Sequence, residues 1–230
     1  SVIEPYGADT MRLAILFVAP PEKDFDWDEK AVAGANRFIK RAWRVVWELT
    51  KTADASATLD PTALDAASAA LNRELHVLGL RCTHEFDEGQ FNTAISAVME
   101  LINAVSSYLN DVVESERSRA LCYRVASDIV AMLAPIIPHW AEELQHAALH
   151  KETPVYHEPW PIFDEAQAKS NTVEIAVQIK GKVRARIMVD ADASEDELSH
   201  AAQQAVAQQL EGREIRKVIV VPGRLVNIVV

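Results

Sequence analysis

The stretch Ala31 to Leu49 reads AVAGANRFIKRAWRVVWEL, and its periodicity decides the fold class. Wound as an α-helix at about 100° per residue, it gathers Arg37, Lys40, Arg41, Arg44 and Glu48 on an arc of about 100°. Val32, Ala35, Phe38, Ile39, Ala42, Trp43, Val45, Val46, Trp47 and Leu49 cover the other faces. Such a helix is expected to be buried on more than two sides, as the central helix of a bundle is. Its one wet stripe is basic. In a chain of net charge -11, four cations against one anion form a local excess that suits a polyphosphate backbone. An ordinary solvated face, with its cations paired to acidic neighbours, is the other reading of the same residues.

Working outward, 230 residues at 49% hydrophobic suffice to bury a core, in one or two domains. No apolar run approaches the roughly 20 residues needed to cross a bilayer, and the opening SVIEPYGADT has no basic region of the signal-peptide kind. Cys82 and Cys122 fall in separate helical patterns, so they are expected to be core thiols in a reducing cytoplasm. Charge divides the chain. Residues 172–230 hold 8 Lys+Arg and 8 Asp+Glu, whereas residues 1–171 hold 15 and 26, which suggests a domain boundary.

Before the central helix, Asp9 is placed to cap a helix through Leu13 and Leu16. Pro20-Pro21 stops it, and Phe25-Asp26-Trp27-Asp28 is read as a turn whose Asp28 caps the central helix. After it, Asp60-Pro61 signals a second helix from Thr62 to Glu85, with Gly79 tolerated inside. Further helices are expected from Phe91 to Leu109, from Ser115 to Leu133 and from His139 to Leu149. The domains are thus a junction at 1–27, an antiparallel helical bundle at 28–163, a polar linker at 164–171 and a tail at 172–230.

In the tail the period changes to two. Val173, Ile175, Val177 and Ile179 alternate with polar or small residues, Lys180-Gly181 makes a turn, and Val183, Ala185, Ile187 and Val189 alternate again. Ser194 with Glu197 is a capping box for a helix reaching about Leu210. Strands Lys217–Val221 and Leu225–Val230 complete a small α+β ββαββ domain. Strict alternation puts Lys182, Arg184 and Arg186 on one face and Val183, Ala185 and Ile187 on the other. Lys180, Arg216, Lys217 and Arg224 extend this basic group. It suits phosphate and sugar contacts rather than base stacking; a charged guard on a sheet edge is the alternative.

Catalytic constellations are scarce. Glu143, His146 and His150 share a helical face at metal-ligand spacing, but Ala147 stands where the zinc-protease signature needs Glu. There is no Gly-rich phosphate loop and no nucleophile elbow.

Several motifs together resemble a known family. Tyr6-Gly7-Ala8-Asp9-Thr10-Met11-Arg12 is similar to the segment after the KMSKS loop of class I aminoacyl-tRNA synthetases, and Gly34-Ala35-Asn36-Arg37-Phe38 to the opening of their anticodon-binding helical domain. Phe91-Asn92-Thr93-Ala94-Ile95, Pro135-Ile136-Ile137-Pro138-His139, Pro159-Trp160-Pro161, Val177-Gln178-Ile179-Lys180-Gly181-Lys182-Val183-Arg184 and Arg216-Lys217-Val218-Ile219-Val220-Val221-Pro222-Gly223-Arg224 narrow the resemblance to the C-terminal part of bacterial leucyl-tRNA synthetases. Valyl and isoleucyl enzymes resemble the helices but not the tail. The resemblance implies a cytoplasmic, monomeric parent ligase that uses ATP and Mg to attach leucine to tRNA-Leu. This fragment carries neither ATP-site signature and is expected to hold no cofactor, no metal and no catalytic residue. Its implied partners are tRNA-Leu and an upstream catalytic domain of the same polypeptide, with no membrane. In this reading Arg37, Lys40, Arg41 and Arg44 make the bundle's RNA contacts, and Lys180, Lys182, Arg184, Arg186, Arg216, Lys217 and Arg224 the tail's. Two rival readings stand beside it, a helical protein-interaction scaffold and a metal-dependent hydrolase built on Glu143, His146 and His150.

Overall fold

A computed structural model describes residues 3–18, 29–169, 172–190, 193–210, 215–221 and 223–230. The expected proline stop at Pro20-Pro21 and the Phe25–Asp28 turn with its Asp28 cap lie outside these residues. The chain forms two compact units, Ser1–Ala168 and Lys169–Val230.

The first unit is built on the central helix. After the short α1 (Ile3–Tyr6) and α2 (Ala8–Val18), α3 runs from Glu29 to Thr52. It buries Val32, Ala35, Phe38, Ala42, Val45, Val46 and Leu49 in the main core, as its apolar period requires. Around it lie α4 (Ala66–Asp87), α5 (Phe91–Asp111), α6 (Arg119–Leu133) and α7 (Pro138–Ala147). Two starts differ from expectation for one reason, a nearer cap. Asp60 caps only a single 3-10 turn, Pro61–Ala63, and α4 begins after Asp65, whose carboxylate accepts from the backbone N–H of Ala67 and Ser68. Likewise α6 starts after Ser118, whose hydroxyl accepts from Leu121 N–H. Such a cap contributes about 1 kcal/mol.

α7 is capped from a distance. Its backbone N–H at Trp140 donates to Asp9 Oδ2 at 2.7 Å, and His139 Nδ1 lies 2.9 Å from Asp9 Oδ1. Arg12, one turn further along α2, donates to the carbonyls of Ile136 and Pro135 at the corner between α6 and α7. Asp9 and Arg12 thus staple α2 to the bundle by satisfying backbone groups that helix ends leave open; Asp9 was expected to cap α2, but it is the second residue of that helix and its carboxylate serves α7 instead.

Residues 150–168 form a strap over the bundle, so the first part of the expected linker at 164–171 packs on it, and the two units divide after Ala168. Arg124 donates to Ile162 O, Trp160 Nε1 to Thr83 Oγ1, Asp164 N–H to His76 Nδ1, and Asn72 Nδ2 to Gln167 Oε1. The short α8 (Glu165–Ala168) lies against α4. A polar composition reads as linker, but here the polar groups find partners on α4 and α6. Beneath the strap, Asp128 is paired with Arg124 at 2.5 Å, yet burial pushes its carboxyl up to about 6, against the pull of Arg124 and Lys151.

The second unit is a four-stranded sheet in the order β2-β1-β4-β3, with β1 Thr172–Ile179, β2 Lys182–Asp190, β3 Lys217–Val221 and β4 Leu225–Val229. β1 pairs antiparallel with β2 and parallel with β4. One face of the sheet packs on α9 (Glu195–Ala205), which opens with the capping box of Ser194 and Glu197; a short α10 (Ala207–Leu210) follows. Ile175, Val177, Ile179, Leu198, Ala202, Val206, Val226 and Ile228 make its separate core. Lys180 and Gly181 both have positive φ, 48° and 75°, in a two-residue turn between the paired Ile179 and Lys182, the twist-matched hairpin geometry.

Candidate nucleic-acid interface

On α3 the wet stripe is where the period put it. Arg37, Lys40 and Arg44 are exposed; Arg41 is half-buried, its guanidinium 5.9 Å from the centroid of the Phe38 ring. Among the described residues none of the four is in an ion pair, because Glu48, the stripe's one acid, is taken by Lys51 at 2.6 Å. The described residues thus offer these cations no acidic partner on this face. Unneutralised cations spaced three or four residues apart, about 4.5–6 Å along the axis, leave a positive field that an anion can lower.

The same face carries residues that the helical wheel assigned to the core. Trp47 is 40% exposed. Trp43 packs in part against the core and stacks on Trp47, with ring centroids 6.1 Å apart and planes inclined by 10°. The wheel carried the signal, since Trp47 lies only about 20° from Lys40. Arg117 was also missed, because its sequence context is a loop. It donates to the carbonyls of Leu109 and Val112 at the end of α5 and lines a cleft of about 410 Å³ with Arg41, Arg44 and Glu48.

In the second unit the expected ladder is rearranged by a β-bulge. Val177 pairs with Ala185 but the next residue, Gln178, pairs with Val183, so Arg184 is an extra residue on β2. Alternation holds only while each residue has one partner, and an insertion reverses the faces beyond it. Hence Lys182 is aligned with Ile179, on the α9 side, while Val183 shares the open face with Gln178 and is 54% exposed. Ala185 and Ile187 remain against the core. Lys182, Arg184 and Arg186 do not form one ladder, although all three are exposed. Arg186 is moreover paired with Glu174 at 2.8 Å, a surface contact worth at most about 1 kcal/mol.

The registers regroup the cations. Ile179 aligns with Ile228 on β4, and Lys217 with Val229, so the turn residue Lys180, Lys182, Arg216 and Lys217 all sit at one end of the sheet. Three strand spacings, about 15 Å, separate its two sides. Arg186 and Arg224 lie further back, near the level of Ala176. Among the described residues Lys180, Lys182, Arg184, Arg216, Lys217 and Arg224 are in no ion pair.

The metal-hydrolase geometry does not assemble. His146 uses both ring nitrogens, towards Lys151 O at 2.6 Å and Glu142 Oε1 at 2.9 Å, and His150 lies beyond the end of α7 at φ 54°. Both acceptors favour the protonated imidazole, with Glu142 the larger influence in raising its pKa. No group of three His, Cys, Asp or Glu among the described residues could hold a metal ion. No described helix is long and apolar enough to cross a membrane.

A bundle with a basic helix face, joined to a small basic-ended sheet, defines a class. Residues 69–199, more than half of the chain, match the family described as the anticodon-binding domain of tRNA ligase, and the protein belongs to that family. Within it the similarity is to leucine–tRNA ligases. That of Thermotoga maritima is 39% identical over 232 residues, covering 100% of this chain and 28% of that protein; that of Alcanivorax borkumensis is 42% identical over 231 residues, covering 99% and 28%. The chain thus spans little more than a quarter of the length of these relatives, and it corresponds to their C-terminal part. A crystal structure of the ternary complex of Agrobacterium radiobacter K84 LeuRS with tRNA and LeuAMS superposes with a TM-score of 0.68 at 22% identity, over 99% of this chain and 29% of that one, which shows the shared fold. The valyl, isoleucyl and scaffold alternatives are not favoured by these matches.

Proposed function

We propose that this chain is the tRNA-binding part of a leucyl-tRNA synthetase, holding tRNA-Leu while a catalytic domain of the same polypeptide performs the ATP- and Mg-dependent leucylation. The observation that carries this reading is the set of cations on α3 and at the sheet end that have no ion pair among the described residues, in a chain of net charge -11. What a polyanion meets is the local field of each patch and not the net charge of the chain, and a structured RNA supplies phosphates to both. The contacts are to phosphate and sugar, with Arg37, Lys40, Arg41 and Arg44 on one unit and Lys180, Lys182, Arg184, Arg186, Arg216, Lys217 and Arg224 on the other. Two buried free thiols, Cys82 and Cys122, suit a reducing cytoplasm.

The test is binding of a tRNA-Leu transcript at several salt concentrations. Replacing Arg37, Lys40 and Arg44 by Gln is expected to flatten the log-log salt dependence by about 0.7–0.9 per lost phosphate contact. Replacing Lys180, Lys182 and Lys217 by Gln acts separately and additively, since the residues belong to different units. Unchanged slopes in both variants, with folding intact, would refute the assignment.

A further inference from the structure

The cations of α3 border something a phosphate backbone does not need. A groove of about 770 Å³ has Ile39, Trp43 and Trp140 as its apolar floor and Arg37, Lys40 and Arg44 along its rim. Trp47, stacked on Trp43, continues that aromatic surface towards the end of the helix. Three of the chain's five tryptophans therefore meet on one face. Their burial is graded: Trp140 is 5% exposed, Trp43 is half-buried against the core, and Trp47 is 40% exposed and outside the core cluster.

From this juxtaposition we propose that the Trp43–Trp47 indole pair is a stacking platform for one unpaired nucleobase of the bound RNA, with the adjoining phosphates on Lys40, Arg44 and Arg37. The inference rests on the tRNA-binding reading and adds to it a contact of a different kind. A ligand that offers a flat π face and an anionic charge within one residue's reach is a nucleotide. An acidic protein surface would pair the cations but leave the indoles uncovered, and an apolar one would bury three unpaired charges at a prohibitive cost. Trp43, held by the core, fixes the plane of Trp47 in advance, so little side-chain freedom is lost when a base arrives. Every base has a π face, so the contact tolerates any base and needs an unstacked one. Duplex RNA, whose bases are already stacked on one another, cannot use it.

The experiment uses the whole chain with three variants at one position. Trp47→Leu keeps apolar bulk but removes the flat ring, Trp47→Phe keeps a smaller ring, and Trp47→Ala removes both. Thermal melting verifies that each is folded, and Trp47→Leu serves if Trp47→Ala is not. Binding of the tRNA-Leu transcript is expected to weaken roughly 5- to 100-fold in Trp47→Ala and Trp47→Leu, with the salt slope unchanged and most affinity kept in Trp47→Phe. Tryptophan emission of the unaltered chain should be quenched by tRNA-Leu and by a short oligoadenylate, and much less by an RNA duplex of equal charge. Equal affinities across the Trp47 series, with the Arg37, Lys40 and Arg44 variant still flattening the slope, would overturn the stacking platform and leave backbone binding in place. Tight tRNA binding that neither set of variants alters would overturn both the platform and the role of this helix face.

Discussion

Gly79 offers the sharpest test of the packing, because local propensity and tertiary contact predict opposite signs. In the interior of α4, replacing Gly by Ala should stabilise the helix by about 0.8–1.0 kcal/mol. In the folded protein, however, a Cβ at position 79 would fall within the Phe163 ring, against its Cε1, Cδ1 and Cζ atoms, far closer than the about 3.5 Å at which carbon atoms rest. The ring must leave. Burying a whole Phe side chain is worth about 1.5–3 kcal/mol; Phe163 is half-buried, and it also loses its edge contact with His76, 6.2 Å between centroids, worth about 0.5–1.5 kcal/mol. A loss of about 2–3 kcal/mol against a gain of about 1 leaves Gly79→Ala destabilised by about 1–2 kcal/mol. At this size that is a fall in Tm of roughly 2–8 °C. In a Phe163→Ala background the obstruction is gone, and the same substitution should stabilise by about 1 kcal/mol. Helical circular dichroism during urea and thermal unfolding of the four proteins measures the cycle. Stabilisation by Gly79→Ala in both backgrounds would refute the packing of the strap on α4.

Other outcomes are as direct. Asp128 holds its proton up to about 6 when folded, against 3.8 ordinarily, so the folded state binds more protons between these values and this group's contribution to stability falls as pH rises from about 4 to about 6. Asp128→Asn should therefore gain on the wild type across that window, by up to roughly 3 kcal/mol at about 1.4 per unit, and parallel urea midpoints from acid to neutral pH would contradict the buried acid. Asp9→Ala removes the acceptor of Trp140 N–H and should cost about 1–2 kcal/mol, measured by urea unfolding, with Asp9→Asn recovering part. Val183→Thr, on the open face beyond the bulge, should change stability by less than about 0.5 kcal/mol; a core-sized loss would restore the unbulged register. The chain alone should give no leucine-dependent pyrophosphate exchange, and measurable exchange would contradict its reading as a binding part.

The amino-acid sequence by itself determined what depends on neighbours a few residues apart. The period of Ala31–Leu49 placed Arg37, Lys40 and Arg44 on the wet side of a buried helix, Ser194 with Glu197 announced α9, and Lys180-Gly181 announced the hairpin, because each is a local matter of backbone geometry and capping. Tertiary structure alone decided how distant segments meet. Nothing near residue 79 says that Phe163 will lie against it, nothing near Asp9 says that it will cap a helix starting at Pro138, and polar residues 164–168 look like a free linker until α4 supplies their partners. The bulge at Arg184 was hidden for the same reason: an extra residue is defined only by the strand opposite, and once present it moves Lys182 and Val183 to faces that counting by twos excludes. Trp47 shows the limit of the wheel. Its angle lay between the apolar face and Lys40, and only the packing of the other helices, which cover Trp43 and stop short of Trp47, left that indole facing water.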